Sequence, residues 1–134
     1  MSMIITDAGF APANDRSLTT LAEITAQTEE VDLANTDDPE ALRPYIDQLK
    51  LVRIAFPAFS DGRAFTVARR LRMAGYKGKL FALGPVIADQ YSMLRRVGFD
   101  GAEVPDEIAQ RQPEDQWKFR ANWQDHHYQA LLRA

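Results

Sequence analysis

Two short polar stretches of the chain carry side chains suited to binding a small charged ligand. The first is the loop Ser60–Arg63, which follows an apolar run, and the second is the pair Asp89-Gln90 further along the chain; each leads into a helical pattern. Backbone N–H groups at a helix start, together with an arginine, can hold a small oxyanion. The candidate ligand-binding residues are therefore Ser60, Asp61, Gly62, Arg63, Asp89 and Gln90, and no catalytic residue is assigned.

The same residues also fit a structural role. Ser60 or Asp61 can cap the following helix, and Arg63 can pair with Asp61 or with Asp89. The helix dipole favours a carboxylate such as Asp89 in a first turn whether or not a ligand binds. An acid, a cation and an amide on one rim can orient a ligand, but they do not define a reaction. The sequence therefore leaves open whether the protein is an enzyme.

The residue content excludes several kinds of chemistry. The chain has no cysteine, which rules out thiol nucleophiles, disulfides and cysteine-ligated metal or haem. Its two histidines, His126 and His127, are adjacent, and adjacent helical residues point about 100° apart, so they cannot chelate one metal together. The Ser60–Arg63 loop is too short and too poor in glycine for a Walker or dinucleotide motif. We therefore expect no metal and no cofactor.

Length and composition favour one globular domain over residues 1–134. The chain is 46% apolar and 26% charged, with a net charge of −3. No window approaches the roughly 18 apolar residues of a membrane span, and the first residues lack the pattern of a secretion signal. We expect a cytoplasmic protein that binds no membrane. We also expect no nucleic acid partner, because the chain is acidic and its aromatic and basic residues do not interleave.

The charge is distributed unevenly along the chain. Residues 1–49 carry two basic against ten acidic side chains, residues 50–99 carry ten against two, and residues 100–134 carry four against seven. In one interpretation the acidic first third packs beside the basic middle and the two fields largely cancel. In the other, the middle segment forms a basic surface that attracts an anionic ligand or an acidic protein.

Alternating apolar runs and helical patterns predict an α/β fold with a small parallel sheet of repeated βα units. Strands are expected at Leu51–Phe56, Lys79–Leu83 and Gly101–Val104, with Val31–Ala34 as a fourth, in an open sheet or a partial barrel. The expected subdivision is an N-terminal arm or edge segment over 1–30, a βα core over 31–104 and a helical tail over 105–134.

Helix boundaries follow from capping residues. A helix starts near Pro39, with Asp38 at the cap. The helix after Ser60–Arg63 buries one apolar face and places Arg69, Arg70 and Arg72 largely outside. Gly75 ends that helix in the left-handed conformation, and Gly98 ends the next one. Met3–Ile5 fits a short strand, whereas Asp7–Asp15 is predicted as loop. The aromatic residues of the tail fit either the back of the core or a homodimer interface.

The segment Phe56–Val104 carries a set of motifs that resembles the bacterial family called domain of unknown function 934. The family pattern F-P-x-F-x-D-G-R corresponds to the start of Phe56–Arg72, and its later blocks correspond to Gly78–Gly84, Asp89-Gln90 and Arg96–Asp100. The resemblance covers roughly residues 31–128. The chain departs from the family's usual residues at three positions: Ala64 replaces Gly, Phe81 replaces Arg and Val97 replaces a frequent Cys.

The resemblance implies a role in sulfur metabolism. Genes of the family typically lie beside those of assimilatory sulfite reductase, and members are labelled oxidoreductases of sulfite reduction on that basis. The family offers no established catalytic residue to transfer. The resemblance therefore implies an accessory protein that binds sulfite reductase or its electron donor through the basic middle segment. The alternative is an oxyanion-binding protein or small enzyme that uses the rim formed by the six candidate residues.

Overall fold

The computed structural model describes residues 2–13, 18–57, 62–111 and 117, and these contain a seven-stranded sheet. Its strands lie in the order β2-β1-β7-β6-β5-β4-β3. Their bounds are β1 Ser2–Thr6, β2 Gly9–Pro12, β3 Thr19–Thr20, β4 Glu30–Leu33, β5 Leu51–Ala55, β6 Lys79–Leu83 and β7 Gly101–Pro105.

Strands β3 to β7 are parallel, and each pairs with the next one along the chain. The predicted parallel α/β sheet is thus confirmed, including the fourth strand near Val31, and the sheet is open. Because each right-handed crossover steps one strand in the same direction, the connections are expected on one face of the sheet. Alternate strand residues are fully buried there, among them Val31, Val52, Leu80 and Ala102.

Among the described residues, three α-helices and three 3₁₀ helices connect or follow the strands. The α-helices are α1 Gly62–Met73, α2 Tyr91–Val97 and α3 Asp106–Arg111, and the 3₁₀ helices are Leu21–Glu23, Pro39–Tyr45 and Ala88–Gln90. Asp38 caps the second 3₁₀ helix as predicted, accepting a hydrogen bond from the Glu40 backbone. Pro44 lies inside that helix and has no N–H, so the helix lacks one backbone hydrogen bond at that position.

The N-terminal segment differs from the prediction of a loop at Asp7–Asp15. Gly9–Pro12 is instead a strand, β2, which pairs with β1 in an antiparallel hairpin, and β1 also pairs with β7 in the antiparallel sense. Pro12 suggested a loop because it cannot donate a hydrogen bond. It is tolerated here since β2 is an edge strand and Pro12 ends it.

The core lies between the helices and one face of the sheet. Leu71 of α1 and Leu94 of α2 are fully buried against it. The left-handed conformation predicted for Gly75 is confirmed, with a φ of 107°, and Gly98, where α2 was predicted to end, has a φ of 113°.

The predicted helical tail is described only in part. It begins with α3, and Trp117 is 1% exposed. The Trp117 ring packs edge-on against Phe10 at 6.5 Å and against Tyr91 at 5.9 Å between ring centroids. Trp117 therefore belongs to the core, while the rest of the predicted tail, including His126 and His127, lies outside the described residues. No helix of the described part is both long and apolar enough to span a membrane.

We expect replacement of Gly84 by alanine to destabilise the fold. Gly84 has a φ of 137°, and a Cβ there would lie 2.2 Å from the Phe56 carbonyl oxygen. That oxygen belongs to the backbone and cannot rotate away, so Gly84→Ala should lower the free energy of unfolding by about 2–4 kcal/mol in urea denaturation. Gly62→Ala is the control, because a Cβ at Gly62 meets no atom within 4 Å. Equal stability of the two variants would contradict this account.

Candidate functional site

The topology brings the two candidate stretches to one edge of the sheet. Gly62 and Arg63 begin α1 after β5, and Asp89 and Gln90 lie in the 3₁₀ helix after β6. Strands β5 and β6 are parallel neighbours, so both connections leave the sheet at its carboxyl edge. Gly62, Arg63 and Asp89 are exposed there. Of the six candidate residues, Ser60 and Asp61 lie outside the described residues.

Gln90 has a local structural contact. Its side-chain oxygen accepts a hydrogen bond from the Ile87 backbone N–H at 3.0 Å, and its own backbone N–H donates to the Ile87 carbonyl at 2.9 Å. These two bonds close the turn that leads into α2. The Gln90 amide thus has a structural role: it helps to set the position of Asp89, its neighbour on the rim.

A buried charged cluster lies on the face of the sheet opposite the core residues. Arg53 of β5 is 4% exposed and Glu103 of β7 is 8% exposed. The Arg53 guanidinium donates to both carboxylate oxygens of Asp32 in β4, at 2.6 and 2.7 Å, and to Glu103 at 3.0 Å. The cluster therefore joins β4, β5 and β7 across the intervening strand β6.

The electrostatics of this cluster favour a fixed ion pair. Burial opposes the charge of Arg53, but the hydrogen bonds and the attraction of Asp32 and Glu103 outweigh it and raise the pKa of the guanidinium above its ordinary value. Both carboxylates are already engaged by the arginine. The cluster thus acts as an electrostatic tie between strands. The apolar character of Leu51–Phe56 concealed it, because the sequence alone did not show two acids facing Arg53.

A second network lies at the amino edge of β6 and β7. Asp100 accepts from Arg72 at 3.0 Å and from the Leu80 backbone N–H at 2.9 Å. Arg95 pairs with Asp7 at 3.3 Å, and Asp7 also accepts a 2.6 Å hydrogen bond from the Tyr91 hydroxyl. Burial, and then this bond to Asp7, raise the pKa of Tyr91. The network ties the hairpin formed by β1 and β2 to α2.

Arg72 corrects the expectation that it lies largely outside. Its guanidinium donates to three backbone carbonyls, of Gly98, Tyr76 and Gly78, at 2.9, 3.0 and 2.9 Å, in addition to Asp100. The helical periodicity of the sequence places Arg72 on the outer face, but it does not show that three backbone carbonyls accept hydrogen bonds from its side chain there. Arg69 and Arg70 are exposed, as predicted.

A groove lies on the outer surface between α1 and α2. Its volume is about 590 Å³, and it is lined by Arg69, Arg72, Met73, Met93, Arg96 and Val97. Met73 is 77% exposed and Met93 is 50% exposed. A soluble protein can tolerate single exposed apolar side chains, but two beside one groove with arginines around them are typical of a binding surface. We call this feature the methionine groove.

Within the described ranges, no three His, Cys, Asp or Glu side chains cluster in a way that would hold a metal ion.

The sequence was compared with protein-family models, with curated proteins and with solved structures. The model of a family described as "Bacterial protein of unknown function (DUF934)" matches residues 30–133. No curated protein and no solved structure matches the chain.

We expect replacement of Arg53 by methionine to destabilise the protein strongly. Without the guanidinium, Asp32 and Glu103 would remain near each other with no cation between them. Removing one partner of a buried ion pair costs about 3–5 kcal/mol, which chemical denaturation would measure. The control is Arg69→Met, which removes the same charge from an exposed position and should change stability by less than about 0.5 kcal/mol. A neutral Arg53→Met would show that the cluster is not a tie.

Proposed function

This chain belongs to the bacterial family called domain of unknown function 934, as its motifs indicated, and from that membership we propose that it is a cytoplasmic accessory protein of assimilatory sulfite reduction. In this role it binds sulfite reductase or the electron donor of that enzyme. The proposal combines the gene neighbourhood of the family with one observation on the molecule, the methionine groove.

The methionine groove supports binding of a protein partner. Methionine side chains are flexible and polarizable, so an exposed pair such as Met73 and Met93 adapts to the shape of an opposing surface. Burying the pair would release water from apolar surface, which favours association. Arginines at the rim of such a surface add hydrogen bonds and charge, and arginine is enriched at protein interfaces.

The ion pairs of the chain show which cations are available for a partner. Acids of the first third neutralise part of the basic middle segment, through the pairs Asp7–Arg95, Glu29–Lys50, Asp32–Arg53 and Asp38–Arg70. Arg69 and Arg96 of the methionine groove form no ion pair within the part of the chain that the structure describes. The acidic first third thus cancels the charge of some basic residues, as in one interpretation of the sequence, while Arg69 and Arg96 form a basic surface, as in the other. The groove keeps its positive charge and selects an acidic partner.

We expect the double variant Arg69→Ala/Arg96→Ala to lose most of its affinity for the partner. Purified sulfite reductase and its purified electron donor would each be titrated with the wild-type protein and with the variant by isothermal titration calorimetry. Loss of two charged contacts should weaken the complex at least about tenfold, and higher salt should weaken the wild-type complex in the same direction.

Arg43→Ala/Arg70→Ala is the matched control. It removes two exposed arginines from positions that do not line the methionine groove, so the change in net charge is the same. Equal weakening by both double variants would indicate general charge attraction and contradict docking at the groove. Absence of binding to either purified protein would contradict the accessory role, as would unimpaired growth of a deletion strain on sulfate as the sole sulfur source.

A second candidate function is oxyanion binding, catalytic or not, at the carboxyl edge. The observation in its favour is that exposed Arg63 and Asp89 follow the adjacent parallel strands β5 and β6. An anion at the start of α1 would gain both the helix dipole and the arginine.

For this candidate, Arg63→Ala should abolish binding of sulfite or sulfate while leaving the melting temperature nearly unchanged, because any ion pair of an exposed arginine contributes only about 0–1 kcal/mol to stability. Calorimetric titration with each anion and thermal unfolding would test the two parts. A large loss of stability with anion binding intact would identify Arg63 as a structural residue alone.

A further inference from the structure

A basic cleft opens at the amino edge of the sheet, opposite the rim that carries Arg63 and Asp89. It has a volume of about 480 Å³ and lies where β5 and β6 begin. The polar lining consists of Lys50, Arg72, Lys77 and Lys79, with Asp100 and the glycine Gly78. We call it the lysine cleft. Lys50 and Arg72 are paired with Glu29 and Asp100, so the positive field of the cleft comes mainly from Lys77 and Lys79.

The lysines of this cleft are not explained by stability. Lys50 and Lys79 lie at the starts of adjacent strands, where the Lys79 backbone N–H donates to the Lys50 carbonyl at 3.0 Å. The residue paired with Lys79 across the two strands is Leu51, which carries no charge. Glu29 pairs with Lys50 at 3.0 Å, but Lys77 and Lys79 form no ion pair among residues 2–13, 18–57, 62–111 and 117. Folding thus leaves two positive charges beside Arg72 with no compensating partner there.

The arginine of the cleft is held rigidly. Its four hydrogen bonds, to three backbone carbonyls and to Asp100, fix the guanidinium. A guanidinium has five N–H donors, so one remains for a ligand. The only acid of the lining, Asp100, is itself engaged by Arg72, by the Leu80 N–H and by Arg95 at 3.7 Å. It therefore does little to oppose an incoming anion.

We infer that the lysine cleft binds a small molecule that carries two linked phosphate or sulfate groups. The cations come from three places: the start of β5, the start of β6 with the loop before it, and α1. They are therefore distributed around the cleft, which suits two linked anionic groups better than one. The volume lies in the range of small-molecule sites. This site is separate from the methionine groove, although Arg72 lines both.

The test uses inorganic pyrophosphate as the probe, titrated by calorimetry into the full-length protein at physiological ionic strength. We expect one equivalent to bind, and we expect Lys77→Gln/Lys79→Gln to weaken binding at least about tenfold, because each lost charge-assisted hydrogen bond is costly. Both lysines are exposed, so the variant should keep the wild-type melting temperature. Phosphate and sulfate should bind more weakly than pyrophosphate, since each offers one anionic group, and a comparison of the two ions shows which group the cleft prefers.

Arg69→Gln/Arg96→Gln provides the control with the same loss of charge. These arginines line the methionine groove and not the lysine cleft, so this variant should bind pyrophosphate like the wild type. Absence of pyrophosphate binding to the wild type would overturn the inference. Equal weakening by the two double variants would overturn it as well, and so would sulfate binding as tight as that of pyrophosphate. None of these outcomes depends on whether the methionine groove binds a partner.

Discussion

The handedness of the βα crossovers is the constraint from which the other features of this fold follow. Strands β3 to β7 are laid down in chain order, and right-handed connections made repeatedly in one direction place all the intervening helices on the same face. That face becomes the apolar core. In the described part of the chain this arrangement leaves the other face without a crossover helix, and strand β5 carries Arg53 there, between Asp32 and Glu103. A charge in the middle of the sheet is stable because two acids from other strands reach it.

The same arrangement decides where positive charge remains at the surface. Acids of the first third lie near particular cations of the middle segment, and in the described part of the chain they neutralise Lys50, Arg53, Arg70 and Arg95. The outer faces of α1 and α2 have no such acid beside Arg69 and Arg96 in the described part of the chain. Among the described residues, basic side chains therefore line two concave surfaces, the methionine groove and the lysine cleft, while Arg63 is exposed at the carboxyl edge.

The sequence predicted those parts of the fold that depend on local patterns. Strands β4 to β7 follow from apolar runs, the cap at Asp38 from its position before Pro39, and the ends of α1 and α2 from glycines. It failed where a residue's partner is distant in the chain. No local pattern near Pro12 predicts that β1 pairs with β7, about a hundred residues later in the chain. Phe10 likewise gains its packing partner, Trp117, only through that pairing.

The candidate site was predictable to a similar extent. Neighbouring parallel strands share a carboxyl edge, so the common location of Arg63 and Asp89 followed from the βα pattern alone. The contact between Gln90 and Ile87 required the geometry of one turn. The buried cluster around Arg53 and the four bonds of Arg72 were missed for the same reason, because arginine is ordinarily a surface residue and its burial depends on acceptors that only the folded chain assembles.

The segment before residue 30 has a specific task in this architecture. The family match begins at residue 30, yet both edges of the sheet come from earlier residues: β3 covers β4 on one side, and the hairpin of β1 and β2 covers β7 on the other. Without them β4 and β7 would expose unpaired backbone groups, and exposed edge strands invite pairing with other chains. Asp7 secures the hairpin through Tyr91 and Arg95 of α2. The N-terminal segment is therefore an integral part of the sheet, and its own edges are short, since β3 has two residues and β2 ends at a proline.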